Sequence, residues 1–74
     1  MAHRVFYVAS HGQPPRFFAE DEAAARAAFA ADPSDELIAF ENGAIVESSE
    51  GATFLTLKRC FAEEAKRRLE LGAS

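Results

Sequence analysis

Ser10 and His11 are adjacent in this chain, and His3 lies on the same N-terminal segment. A hydroxyl beside an imidazole suggests nucleophilic catalysis, but that chemistry also needs an orienting acid and an oxyanion hole. Neighbouring residues do not normally supply such geometry, and no G-x-S-x-G turn is present. Ser10-His11-Gly12 reads better as a polar loop. Cys60 is the second candidate nucleophile. Lys58 and Arg59 would lower its pKa if they lay beside it, whereas a helical Cys next to Phe61 behaves as a small inert hydrophobe. The inert reading carries more weight. His3, His11 and Cys60 are residue types that can hold a metal, but no H-x-x-x-H, C-x-x-C or EF-hand spacing exists, so neither metal nor cofactor is expected. Gly12 with Pro14 and Pro15 lacks the several glycines of a phosphate-binding loop and reads as a stiffened turn.

Charge and aromatic content are the features that catalysis leaves unexplained. Residues 1–19 carry only Arg4 and Arg16, net +2. Residues 20–50 carry nine carboxylates against Arg26 alone, net −8. Residues 51–74 carry five bases and three acids, net +2, which brings the chain to −4. Glu20, Asp21, Glu22, Asp35, Glu36, Glu41 and Glu47 are therefore the candidate partner-binding residues, an anionic surface for a basic partner. The competing reading is that helix starts and turns favour Asp and Glu anyway. Lys58, Arg59, Lys66, Arg67 and Arg68 have the same duality: they could meet phosphate, or pair with Glu63, Glu64 and Glu70 along a helix. Seven Phe are many for so small a core. Phe17, Phe18 and Phe54 are the least certain to be buried, and one left exposed would anchor a partner or a second copy.

The elements that would carry these residues follow from local patterning. Residues 3–9 are β-branched and aromatic with apolar groups on both faces, which predicts an interior strand. Arg16-Phe17-Phe18-Ala19 reads as a short second strand or as the lead into a helix. Asp21 is a good N-cap for a helix over 22–31, with Ala25, Ala28 and Phe29 on one face, and Pro33 follows its end. Asn42-Gly43 between two apolar runs predicts a two-residue hairpin with Phe40 opposite Ile45 and Ala39 opposite Val46. Leu57, Phe61, Ala65 and Leu69 mark a helical face, and Gly72 a helix stop. Residues 52–56 fit either a third strand or a first helical turn capped by Thr53, and the phase of Phe54 with Leu57 and Phe61 favours the helix. The expected architecture is a small two-layer α+β domain, order β(β)αββα, with an antiparallel sheet and both helices on one face.

Seventy-four residues make one domain, 1–74, in which 16 of the 36 apolar residues are Ala. A single Cys excludes an internal disulfide and a four-Cys zinc site. Net negative charge argues against a dedicated nucleic-acid binder. No apolar run approaches the roughly 20 residues of a membrane span. Val5–Ala9 is too short for a signal-peptide core, so the chain is expected to be mature and cytoplasmic.

Taken together, the single small α+β domain, the acidic balance, the lack of a nucleophile set and the acidic stretch from Glu20 to Glu50 resemble small phage- or prophage-encoded inhibitor proteins, anti-CRISPR proteins among them. That resemblance implies a non-enzymatic inhibitor that docks on a basic nucleic-acid-handling complex, possible CRISPR effectors included, and blocks nucleic-acid access. The alternative expectation is a homodimer, larger homo-oligomer or accessory subunit joined through a Phe-rich surface.

Overall fold

The computed structural model describes residues 4–72. Its elements are β1 (Arg4–Ala9), β2 (Arg16–Ala19), α1 (Glu22–Ala31), β3 (Glu36–Glu41), β4 (Ala44–Ser48) and α2 (Phe54–Gly72). This is the expected order of an α+β domain, and the strands form one antiparallel sheet, β2-β1-β3-β4.

The layering differs from expectation. Phe6 and Val8 of β1, with Leu37 and Ala39 of β3, face α1 and pack on Ala25, with Phe18, Ala28 and Phe29 around them. Their neighbours Tyr7, Ile38 and Phe40 face the other way and pack on Cys60 of α2. The helices therefore lie on opposite faces, and the domain has three layers, not two. The cause is the two-sided apolar pattern of the central strands. With both helices on one face, Tyr7, Ile38 and Phe40, all fully buried, would meet water at about 2 kcal/mol each.

The helix starts follow local capping. The Asp21 carboxylate accepts from the Ala24 N–H at 3.1 Å. Residues 52–56 lead into helix: Thr53 Oγ1 accepts from the Thr56 N–H at 3.2 Å. Glu36, at the start of β3, reinforces this cap by accepting from the Thr53 N–H at 3.0 Å and from the Thr56 hydroxyl. α2 runs through Gly72, the last described residue, so Gly72 belongs to the helix and is not the stop after it that the sequence suggested.

Asn42 and Gly43 have φ of 54° and 83°, as the tight hairpin requires. Phe40 pairs with Ile45 as expected, but Ala39 pairs with Glu47 rather than Val46, because a β-bulge interrupts the register there. Ile45 joins the core under α2, opposite Phe40, and the extra residue turns Glu47 to the other face, where it reaches Arg26 on α1. A bulge of this kind re-aims side chains and blunts an edge strand.

Candidate functional site

Ser10 and His11 lie in the loop after β1, where the Ser10 carbonyl closes a turn by accepting from the Gln13 N–H at 3.1 Å. They border a cleft of about 450 Å³ that Glu36, Thr56 and Arg59 also line. Glu36 is the nearest thing to an orienting acid there, but it is committed to capping α2. His11 is exposed, and His3 lies outside the described residues. Cys60 is wholly buried, and burial pushes its thiol up to about 12, with Glu36 and Glu63 adding to the rise. Lys58 and Arg59 are exposed on the same helix and do not offset that shift. Among the described residues, no three His, Cys, Asp or Glu side chains converge as metal ligands would.

The seven candidate carboxylates are distributed over the fold. Asp21 caps α1. Glu22 pairs with Arg26 at 2.7 Å along the same helix. Glu47 receives both terminal nitrogens of Arg26, at 3.0 and 3.1 Å, and lies 3.9 Å from Arg4. Those contacts, the Arg26 hydrogen bonds foremost, hold the Glu47 carboxyl below the usual carboxylate range. Glu41 pairs with Arg4 at 3.4 Å. Asp35 is buried and meets Arg16 at 3.1 Å. Glu36 caps α2, and Glu20 is also engaged. Arg26, Glu22, Glu41, Glu47 and Arg4 thus form one linked network. Asp35 and Glu36 stand at the opposite end of β3 from Glu41. Four of the seven candidates, Glu22, Asp35, Glu41 and Glu47, are paired with Arg4, Arg16 or Arg26, the three arginines outside α2.

α2 shows the reverse. Its buried positions are Thr56, Cys60 and Glu64, with Glu64 Oε1 accepting from the Tyr7 hydroxyl at 2.9 Å. Its large apolar residues are outside: Phe54 is 81% exposed, Leu69 75%, Leu55 57% and Phe61 48%. The apolar i+4 face read from the sequence, Leu57, Phe61, Ala65 and Leu69, is therefore mostly solvent-facing. Leu57 alone joins the core beneath the helix, and Phe61 touches it edge-on through Phe40 at 5.5 Å. Two repeats at i+4 compete for the sheet, and the one containing Cys60 and Glu64 faces it, where Tyr7 supplies a donor to Glu64. With Glu64 facing inward, the expected pairs Glu63–Arg67 and Glu64–Arg68 are not formed. The Arg67 guanidinium instead stacks 3.8 Å from the centre of the Phe17 ring. Among the described residues, Lys58, Arg59, Lys66 and Arg68 make no ion pair.

At 100° per residue, Phe54, Phe61, Ala65 and Leu69 form one stripe, with Lys58 inside it and Lys66 and Arg68 at its two edges. The sequence singled out Phe54 as a candidate exposed anchor, but Phe61 and Leu69 only as members of a helical face. The one signal for an outward face was the basic residues interleaved with those apolar positions. No helix of the described chain is long and apolar enough to cross a membrane. No protein-family model, no characterised protein and no solved structure matches this chain.

Proposed function

We propose that this chain is a non-enzymatic protein-binding module whose contact surface is the outward face of α2. The observation that carries this reading is the inversion of α2, which keeps Glu64 and Thr56 inside while Phe54, Leu55, Phe61 and Leu69 face solvent. A helix of a water-exposed monomer ordinarily turns its apolar stripe inward, and a contiguous exposed apolar patch marks an interaction site. Covering these four side chains would contribute on the order of 5 kcal/mol before the cost of association is subtracted. That is enough to make them the anchors of a complex.

Masking a basic partner with Glu20, Asp21, Glu22, Asp35, Glu36, Glu41 and Glu47 would require carboxylates that already hold the fold together to give up their contacts. The α2 face asks for no such rearrangement. The test is site-specific photo-crosslinking in the cell of origin. A benzophenone side chain placed at Phe54 or Leu69 should trap a protein partner, and one at Ala27, exposed on α1, should not. Crosslinks confined to the α1 position would move the binding surface to the acidic side and overturn the proposal.

A further inference from the structure

Resting on the reading that α2 is the docking face, we infer that the surface it meets is an acidic protein surface with an apolar centre. This is opposite in sign to the partner expected from the acidic segment. Arg4, Arg16 and Arg26 each meet a carboxylate within 3.4 Å inside the fold. Among the described residues, Lys58 and Lys66, which run through and beside the apolar stripe, meet none, and neither does Arg68, whose guanidinium lies over Gly43 of the hairpin at the stripe's edge. The acids of α2 do not offset them: Glu64 is buried against Tyr7, Glu63 is half-buried, and Glu70 alone is exposed. A molecule of net charge −4 therefore presents a locally cationic, apolar helix face.

Three other occupants fit less well. A second copy placed α2 against α2 would set the lysines and Arg68 of one chain against the same residues of the other, and like charges in contact disfavour the pairing. Nucleic acid offers phosphates but little apolar surface to cover Phe54 and Leu69. An anionic bilayer would take the apolar residues, but Lys58 sits in the middle of the stripe, where insertion would draw its ammonium toward the acyl boundary. A protein carboxylate set among apolar side chains satisfies Lys58, Phe54, Phe61 and Leu69 together. Complementary charge of this kind steers encounter and selects partners.

The experiment uses the full chain and the protein trapped from Phe54 or Leu69. Binding of that partner should weaken by about tenfold or more between low and high salt, and by a similar factor in the triple variant Lys58→Glu, Lys66→Glu, Arg68→Glu. The milder triple change to Gln should give a smaller loss in the same direction, and circular dichroism melts should show that both variants fold. The crosslinked partner peptides should be rich in Asp and Glu. If Phe54→Asp abolishes binding while salt and both triple variants leave it unchanged, the face docks but its partner is not acidic, and this inference falls alone. If nothing is trapped from α2, the docking reading falls first. The inference is also overturned by a salt-resistant dimer in sedimentation that Phe54→Asp dissolves. The same holds for wild-type binding to phosphatidylserine–phosphatidylcholine vesicles, or to a short oligonucleotide, that the triple Glu variant loses.

Discussion

Cys60 illustrates how a single residue's chemistry is decided by its surroundings. Its thiol lies among Tyr7, Ile38 and Phe40 with no exposed surface, and burial raises its pKa to about 12. At neutral pH it is protonated and sealed from solution, and the thiolate is the reactive form. A thiol-specific disulfide reagent should therefore label the native protein slowly, with the labelling rate tracking the urea unfolding curve. Brisk labelling in native buffer would show that α2 opens without global unfolding. Lys58 and Arg59, which precede Cys60, would activate it only if they lay beside the thiol. In the fold they are on the far side of the helix, and the carboxylates of Glu36 and Glu63 add to the rise. Tyr7 is raised as well, by burial first and then by the Glu64 carboxylate it donates to.

Among the elements, α2 depends most on a contact from elsewhere in the chain. Its first turn is held by Thr53 locally and by Glu36 from β3. A carboxylate at a helix N-terminus meets both unsatisfied N–H groups and the positive end of the dipole. Removing it in Glu36→Ala should cost about 1 kcal/mol of stability, read from urea denaturation. It should also speed hydrogen exchange at the Thr56 and Leu57 amides, whose acceptors lie in this turn. Unchanged exchange there would mean that Thr53 suffices. Any binding defect of a Glu36 variant must accordingly be separated from the loss of α2's first turn. The hairpin shows a similar division. Asn42-Gly43 sets the turn and places Ile45 opposite Phe40, but the bulge beside Ala39 decides that Glu47 reaches the other side of the sheet.

For the whole molecule, the sheet separates two differently charged sides. On the α1 side, Arg26 joins Glu22 of its own helix to Glu47 of β4, and Arg4 joins Glu47 to Glu41. The Glu47 carboxyl is held low by Arg26, and that of Asp32 by hydrogen bonds from Ser34. Because both folded-state values are depressed, their stabilisation is fully present above the ordinary carboxylate pKa and is lost as pH falls through the folded values. Stability measured by urea should thus decline on acidification, modestly because these groups are largely exposed. Arg26→Ala should flatten part of that decline. An identical acid profile in the variant would show that the Arg26 network contributes nothing to folding.

The elements themselves were legible in the chain. Capping at Asp21 and Thr53, the Asn42-Gly43 turn and the two-sided apolar pattern of residues 3–9 are local features, and local sterics and hydrogen bonding are enough to place strands and helices from them. The positions of the helices relative to the sheet were not legible. β1 and β3 are apolar on both faces, so either face could have taken either helix, and only burial of Tyr7, Ile38 and Phe40 together with Phe6, Val8 and Leu37 requires one helix on each. The candidate site depended on the same packing step. The acidic segment looked free because Arg4 and Arg16 are distant in sequence from the carboxylates they meet. α2 offered two competing faces, and only the packed structure shows which one meets the sheet: Cys60 and Glu64 are inside, Glu64 beneath the Tyr7 hydroxyl, and Phe54, Phe61 and Leu69 are outside.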